Sequence, residues 1–371
     1  MKRILATLVV LAAIASGLGA QQALVVKDAR SIAMGGAFTA LSSGYQSLYG
    51  NPAGFGVGRG MLTLANVSAW GFFKPSSANL DGLGTDPMGT LLSQVTENNG
   101  LGGGAALGIG FTGGGLGLGL TAVSEDYISG ATLGGATFNS ITQINIIAGM
   151  AITLGPKDFN LKIGGDLRPF ALLDSSVPAS AIIAALSGAS GTDPSTALLS
   201  SAANYGLGLA ADLGAIFTMG NLSAGLSIRD ISPSFGFSET TIGDVLSSGG
   251  SPSSATTTKG SYLPNIAAGL GWSPRFIPGL IDPSLYFEVQ DPIRAIQEES
   301  SFWNLLHVGG ELKLLSFIYL RGGLNQGWLT AGAGFNLLIL EIDGAVFTEE
   351  LGRHPGDYPR SGIAMNVRLH L

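Results

Sequence analysis

Residues 158–168 read DFNLKIGGDLR, and apolar and polar residues alternate along this stretch. From Phe159 onward every second position is apolar or glycine, and the positions between them are polar or glycine. Side chains two residues apart share one face of a β-strand, whereas a helix would spread them around its circumference. The stretch therefore predicts a strand with one apolar face and one polar face.

The same alternation recurs along the chain and is clear in 306–314, 329–337 and 361–371. An apolar face toward lipid and a polar face toward a lumen are typical of a transmembrane β-barrel with an even number of strands. The sequence therefore predicts an all-β, antiparallel barrel of about fourteen strands. The candidate strands lie near 61–72, 102–112, 115–124, 139–154, 158–172, 205–218, 221–230, 262–273, 283–291, 303–315, 317–326, 328–337, 339–347 and 361–371.

The composition agrees with a membrane protein. Of 371 residues 58 are glycine and only 12% are charged, and the mean hydropathy is +0.39. A soluble domain of this size needs more surface charge, and 46% hydrophobic residues are too many for a disordered chain. The absence of cysteine and the three scattered histidines argue against a metal site, and we expect no cofactor. A net charge of −7 argues against nucleic acid as a partner.

The first residues have the layout of an export signal. Lys2 and Arg3 precede the apolar run 4–14, and small residues follow up to Ala20. This pattern predicts a signal peptide over 1–20. No later run reaches the ~18 apolar residues of a membrane helix. We therefore expect export to the outer membrane of a diderm bacterium, with the lipid bilayer and the barrel-assembly machinery as partners.

The connections between the candidate strands alternate in length. Long ones near 73–101, 173–204 and 231–261 alternate with short ones such as Gly113-Gly114. Long outer loops and short periplasmic turns are typical of bacterial barrels. A soluble β-sandwich also alternates, but its polar face would meet water. Here the polar faces hold mostly small residues, which favours the lumen of a barrel. The predicted barrel covers residues 59–371.

Charged residues on the predicted inward faces are balanced between acids and bases. Buried charges need partners, so we expect paired networks across the lumen rather than a selective ring of one sign. The acids are Asp166, Asp212, Glu288, Glu311, Glu341 and Asp343. The bases are Lys162, Arg168, Arg229, Lys313, Arg321 and Arg368.

Residues 25–58 precede the first strand and lack its alternation. The stretches Asp28-Ala29-Arg30, AMGGAF at 33–38 and YGNPAG at 49–54 closely resemble the N-terminus of the FadL/TodX superfamily. Within it they look most like the PorV-type and spirochaetal FadL-like branches. The resemblance implies that 21–58 is a hatch folded inside the barrel. It also implies a set of gate residues, with a plain structural turn at 51–54 as the alternative. These residues are Gly35, Gly36, Asn51, Pro52, Ala53 and Gly54.

The three long loops near 73–101, 173–204 and 231–261 are unusually apolar for exposed segments. In FadL relatives helical outer loops first capture the hydrophobic substrate, and the resemblance implies such a capture site here. Alternatively, these side chains pack on each other and cover the barrel mouth. The residues concerned are Ile182, Ile183, Leu186, Leu198, Leu199, Phe235 and Phe237.

The resemblance implies an outer-membrane channel for passive uptake of hydrophobic compounds such as long-chain fatty acids. Outer-loop capture would be followed by movement of the hatch or a lateral opening. The alternative is a PorV-like protein that carries or anchors secreted proteins at the cell surface. An enzyme would need an activated nucleophile beside a base. The sequence offers no such pair, and we expect no catalytic activity.

Overall fold

A computed structural model describes residues 24–73, 85, 101–129, 135–178, 180, 196, 199–232, 235–248, 257–274 and 276–371. The strands are β1 (Met61–Phe73), β2 (Gly102–Gly113), β3 (Leu116–Ser129), β4 (Thr137–Leu154), β5 (Phe159–Pro178), β6 (Ala202–Met219), β7 (Leu222–Ile231), β8 (Phe235–Thr241), β9 (Thr257–Gly260), β10 (Asn265–Trp272), β11 (Ile281–Gln290), β12 (Leu306–Leu314), β13 (Ile318–Asn325), β14 (Trp328–Leu337), β15 (Leu340–Glu350) and β16 (Pro359–His370). The α-helices are α1 (Ala29–Ala33), α2 (Ile242–Ser248) and α3 (Pro292–Gln297). The 3-10 helices are η1 (Gly44–Leu48), η2 (Pro52–Gly56) and η3 (Phe302–Leu305).

Strands β1–β7 and β10–β16 form one antiparallel sheet that closes on itself. Closure occurs at β1, where Val67 pairs with Leu107 of β2 on one side and with Val367 of β16 on the other. A closed barrel leaves no unpaired strand edge, which is the condition for crossing lipid with strands. The predicted fourteen-stranded antiparallel barrel is confirmed.

The remaining two strands, β8 and β9, extend the sheet beyond the barrel. β8 pairs with the first residues of β6, from Ala202 to Leu207, and β9 pairs with β8. The connection expected over 231–261 therefore contains two strands and α2, because its backbone groups pair with a strand that projects past the barrel. The connection expected over 173–204 is shorter at both ends, since β5 continues to Pro178 and β6 begins at Ala202. The connection expected over 73–101 lies almost wholly outside the described residues.

The outer surface of the barrel is apolar. On β16, Ile363 and Met365 are exposed, whereas Ala364 and Asn366, which alternate with them, are buried. Leu107 and Ile109 of β2 repeat the pattern. Many exposed aliphatic side chains on one wall would aggregate in water, so this face requires lipid. The barrel spans a membrane, and its place is the outer membrane. Within the described residues, no helix has the length and apolar character needed to cross a membrane.

The two ends of the barrel differ in their connections. At one end β2–β3, β4–β5, β6–β7, β12–β13 and β14–β15 are joined by turns of two to four residues, and β10–β11 by the eight residues 273–280. The barrel begins and ends at this end, at Met61 and His370. We call this the turn end and the opposite one the loop end. Short turns face the periplasm in bacterial barrels.

Residues 24–58 lie inside the barrel, and we call this segment the hatch. Helix α1 contacts β13, β14, β15 and β16, whereas η1 contacts β1, β2 and β3, and η2 contacts β2 to β6. A segment that touches strands all around the sheet occupies the lumen.

Candidate functional site

Asp28 is the hydrogen-bonding centre of the hatch. Its Oδ1 accepts from the backbone N–H of Arg30 at 3.0 Å and of Ser31 at 3.2 Å, and so caps α1. The same oxygen accepts from Gln46 Nε2 at 2.6 Å, and Oδ2 accepts from the Tyr49 hydroxyl at 2.9 Å. Burial raises the pKa of Tyr49 well above its ordinary value, so the phenol remains a donor. One carboxylate therefore joins the start of the hatch to its middle.

Three ion pairs join the hatch to the barrel wall. Asp28 Oδ2 lies 3.1 Å from Arg368 Nη2 of β16, and Arg30 Nε lies 3.0 Å from Glu311 Oε2 of β12. Burial acts to lower the pKa of Arg30, but the Glu311 carboxylate outweighs it and raises that pKa above its ordinary value. The third pair joins Lys27 Nζ to Glu349 Oε2 of β15 at 2.7 Å.

The predicted lumen charges extend these contacts along the wall. Glu311 also pairs with Arg321 of β13 at 2.7 Å, and Arg321 pairs with Asp343 of β15 at 2.5 Å. Arg368 also pairs with Glu341 at 3.1 Å. These five residues form two branches that meet the hatch at Arg30 and at Asp28.

A second group of charges lies on β5, β6 and β7. Arg168 pairs with Asp230 and lies 3.6 Å from Asp212, which also lies 3.5 Å from Arg229. Asp166 is directly opposite Asp212 in the strand register. The backbone N–H of Asp230 donates to Asp212 Oδ1 at 2.7 Å. Three carboxylates and two guanidinium groups thus share one buried patch of the wall.

The last predicted lumen residues have different partners. Glu288 accepts from the backbone N–H groups of Phe38 at 2.7 Å and Thr39 at 2.6 Å, so it holds hatch backbone rather than a base. Lys162 donates to Asn160, and Lys313 lies over the Tyr319 ring at 5.5 Å. Within the described residues, neither lysine forms an ion pair.

Asn51 fastens the middle of the hatch to the sheet. Its Nδ2 donates to the carbonyl of Thr39 at 3.1 Å and to those of Ala215 at 3.1 Å and Leu226 at 3.2 Å, on β6 and β7. Its Oδ1 accepts from Ala53 N at 3.0 Å and caps η2. A buried amide with this many partners fixes both the turn and its position on the wall.

Gly35 and Gly36 make the turn after α1, with φ of 64° and 85°. The Gly35 carbonyl accepts from His307 Nδ1 at 2.7 Å, and the Gly36 carbonyl accepts from Gln290 at 2.8 Å. Only glycine adopts such φ values readily. Apart from Gly36, the predicted gate residues are buried. The others are Gly35, Asn51, Pro52, Ala53 and Gly54.

Glycines on the inner wall make room for the hatch. A β-carbon at Gly117 would lie 2.5 Å from the Phe55 ring, and one at Gly119 would lie 2.7 Å from Leu48. Atoms cannot approach so closely, so these positions exclude any side chain. Much of the glycine excess of the chain thus serves shape complementarity between wall and hatch. The inner-wall glycines in such contact with the hatch are Gly108, Gly110, Gly117, Gly119, Gly149, Gly164, Gly214, Gly225, Gly309, Gly323 and Gly332.

A vestibule of about 670 Å³ lies between the hatch and the loop end. Its apolar lining includes Leu24 and Ile32 of the hatch and Ile141 and Leu172 of the wall. Its charged lining is dominated by carboxylates. The volume is within the range of small-molecule sites. The charged residues are Lys27, Asp28, Glu125, Asp174, Arg229, Glu288, Asp291, Arg294, Glu298, Glu349, Glu350 and Arg360.

No protein-family model and no curated protein match the sequence. Solved structures do match it. The monoaromatic hydrocarbon channel CymD aligns over 94% of this chain and 98% of its own, with 14% identity and a TM-score of 0.51. The toluene transporter TbuX of Ralstonia pickettii aligns over 92% and 97%, with 13% identity and a TM-score of 0.50. The chain has the fold of these channels. The resemblance to the FadL/TodX superfamily is confirmed at the level of the fold.

In this barrel, two of the predicted capture residues are not displayed on a loop. Phe235 and Phe237 belong to β8 and are buried, with ring centroids 5.0 Å apart. The Phe235 ring also packs 5.1 Å from Phe170 and 5.0 Å from Tyr262. The expectation of exposed side chains is corrected here, because strand pairing turns both rings toward the wall. Leu199 is exposed. Ile182, Ile183, Leu186 and Leu198 lie outside the described residues.

Sequence reasoning missed residues that couple the hatch to the wall. Asp28 and Arg30 served only to identify the motif, and the ion pair of Lys27 with Glu349 was not foreseen. One signal was present: residues 31–58 contain no charged residue, so the charges at 27–30 stand alone. Within the described residues, no group of three or more His, Asp or Glu is placed to hold a metal ion.

Proposed function

We propose that the chain is a passive, non-catalytic channel for uptake of hydrophobic small molecules across the outer membrane. The vestibule carries this proposal, because its floor is the hatch and it lies at the loop end. A molecule entering there meets apolar side chains on the hatch and on the wall. It would reach the turn end only after part of the hatch moves.

The finer proposal concerns the cargo. CymD is a monoaromatic hydrocarbon channel and TbuX a toluene transporter, and by this likeness we propose monoaromatic hydrocarbons as candidate substrates. Long-chain fatty acids are the second candidate, from the superfamily resemblance. Ile141 and Leu172 offer the apolar surface that both would contact.

We propose that passage requires displacement of hatch backbone or a lateral opening between strands. The lumen around the hatch contains the ion pairs of Arg30, Arg321 and Arg368. Such surroundings are unfavourable for an apolar molecule, because dry contact would strip polar groups of their partners. A lateral exit toward lipid avoids that cost.

Ligand binding to the folded barrel in detergent tests the proposal. Trp70 provides a native reporter, since its indole N–H donates to Glu125 at 3.2 Å and Glu125 lines the vestibule. Toluene and oleate are titrated separately against tryptophan emission. Ile141→Asp places a carboxylate in the vestibule, and we expect it to weaken binding at least tenfold. Ile296→Asp is the control, because Ile296 is exposed and does not line the vestibule.

Leu199→Asp separates the vestibule from the predicted capture loop. A loss of affinity in this variant would support loop capture, whereas unchanged affinity would confine binding to the vestibule. Absence of binding of either ligand by a demonstrably folded barrel would contradict uptake. It would favour the PorV-like alternative, in which the partner is a secreted protein.

A further inference from the structure

The turns at the turn end differ between the two halves of the barrel. On the half from β2 to β7 they are Gly113–Gly115, Gly155–Asp158 and Gly220-Asn221, which are small or polar. Two successive turns on the other half are Leu315–Phe317 and Leu338-Ile339, which contain no charged residue. The turn end of the barrel therefore has one half with small or polar turns and one half with apolar turns.

The apolar turn side chains are also exposed. Leu338 is 94% exposed, and the turn between β10 and β11 adds three more exposed apolar residues. We call the exposed apolar side chains of these three turns the turn patch. Its members are Phe276, Ile277, Leu280, Leu315, Phe317, Leu338 and Ile339.

Strand length differs between the same halves. β4, β5 and β6 have 18, 20 and 18 residues, whereas β10 and β13 have only 8 each. With a rise of ~3.3 Å per residue and a tilt of ~40°, eight residues reach about 20 Å along the barrel axis. The apolar band of an outer-membrane barrel is ~25 Å tall. The short strands alone therefore do not cover the apolar thickness.

At the turn between β14 and β15 the apolar wall continues into the turn patch without a polar break. Leu337 and Ile342 face outward on β14 and β15, and Leu338 and Ile339 follow directly in the turn that joins them. On the other half, Met219 and Leu222 are also exposed, but Gly220 and Asn221 between them end the apolar surface. Water is unfavourable for exposed aliphatic turns, whereas the neighbouring lipid already covers the wall above them.

We propose that the turn patch is a lipid-binding surface, with these turns inserted among the glycerol and upper acyl groups of the periplasmic leaflet. The short half of the barrel is then in lipid down to its turns, whereas the turns of the long half stand in water. The surplus length of β4, β5 and β6 projects at the loop end. This insertion fixes how the barrel sits in the membrane, whatever molecule it transports.

The chain contains no cysteine, so a single introduced cysteine is a unique labelling site. Leu338→Cys and Phe317→Cys report on the turn patch, and Asn221→Cys is the matched control in the polar turn. Each variant is labelled with the fluorophore NBD and placed in phosphatidylcholine nanodiscs, which leave both membrane faces open to quenchers. Folding is checked by the heat-dependent shift in gel mobility. Quenching by nitroxide on the lipid acyl chain is compared with quenching by aqueous iodide.

We expect NBD at 338 and at 317 to emit at shorter wavelength than at 221, with lipid quenching at least three times as strong as at 221. Iodide should quench the label at 221 most. Equal iodide quenching at 338 and 221 would overturn the proposal. Protection of 338 from both quenchers would also overturn it, because the patch would then be covered by protein, such as a second copy of the chain.

Discussion

The charged start of the hatch and its uncharged remainder are held by the barrel in different ways. Lys27, Asp28 and Arg30 each form an ion pair with a wall residue. Residues 31–58 contain no charged residue. They are held by backbone carbonyl and amide contacts and by packing onto glycines of the inner wall.

The two kinds of contact suit two different tasks, which are orienting the hatch and sealing the lumen. Coulomb attraction acts over several ångströms and tolerates some misfit, but a buried ion pair adds little net stability because both charges lose water. Packing acts only at contact and needs matching shapes, and it then excludes solvent. We infer that the charged start orients the hatch and that the uncharged stretch seals the lumen. Asp28 joins the two, since it binds Arg368 of the wall and both Gln46 and Tyr49 of the uncharged stretch.

The largest effect is expected for Asp28→Ala, which removes the side chain that joins the charged start of the hatch to its uncharged stretch. Arg368 loses one buried partner, α1 loses its cap, and two hatch side chains lose their acceptor. Breaking such a buried pair costs about 3 kcal/mol. Planar-bilayer recording should show frequent open-channel events, and urea unfolding in lipid vesicles should shift to lower concentration.

Asp28→Asn is the control for this prediction, because it keeps the cap and the shape but not the charge. It should fall between the native protein and Asp28→Ala. A native-like record from Asp28→Ala would show that Asp28 does not hold the hatch.

Gly225→Val tests the packing half alone. A β-carbon there would lie 2.6 Å from Thr39 O and 2.7 Å from Ala40 Cα, both backbone atoms that cannot turn aside. Overpacking of this kind costs about 2 kcal/mol. We expect a folded barrel with an unseated hatch, seen as increased conductance.

The matched variant for this test is Gly344→Val. A β-carbon at Gly344 has no atom within 4 Å, and valine suits a strand. Conductance should stay at the native level. Equal conductance in both variants would argue against the fitted inner wall as the seal.

A smaller effect is expected for Asn51→Ala, which tests a single side chain of the uncharged stretch. The carbonyls of Thr39, Ala215 and Leu226 lose a donor, at a cost of about 1–2 kcal/mol. Asn160→Ala provides the comparison, since Asn160 donates to the Pro156 and Lys157 carbonyls in a wall turn. Both should lower the urea midpoint, but only Asn51→Ala should raise conductance. Raised conductance in both would mean that loss of stability alone opens the channel.

The smallest effect is expected for Arg30→Met, which removes one ion pair from the charged half. Glu311 keeps its pair with Arg321 at 2.7 Å, so the cost should be about 1 kcal/mol. Arg294→Met, in the exposed pair with Glu298, should be silent in urea unfolding. If Arg30→Met opened the channel as often as Gly225→Val does, the assignment of sealing to the uncharged stretch would be reversed.

The barrel could be predicted from the sequence because the alternation within each strand shows which residues face outward and which face inward. Ile363 and Met365 point outward and Ala364 and Asn366 inward, as the period of two indicates. The boundaries at the loop end could not be predicted. β5 and β6 run past the apolar band, where alternation no longer distinguishes lipid from water, and β8 forms only because it pairs with β6.

The site was predictable only in part. The motif placed Asn51 and Gly35 in a hatch, but the partners of Asn51 lie 164 and 175 residues away along the chain. Phe235 and Phe237 looked like exposed loop residues. Only the fold around them shows that Phe235 packs against Phe170 and Tyr262 and that Phe237 packs against Phe235.

The sequence by itself determined the membrane barrel, its export signal as an expectation, and the presence of a hatch motif, because these depend on short-range patterns. Only the tertiary structure decided which charges meet and which glycines face the hatch. Ion pairing and shape complementarity depend on distances between residues on different strands. Strand register sets those distances, and the period of two leaves the register open.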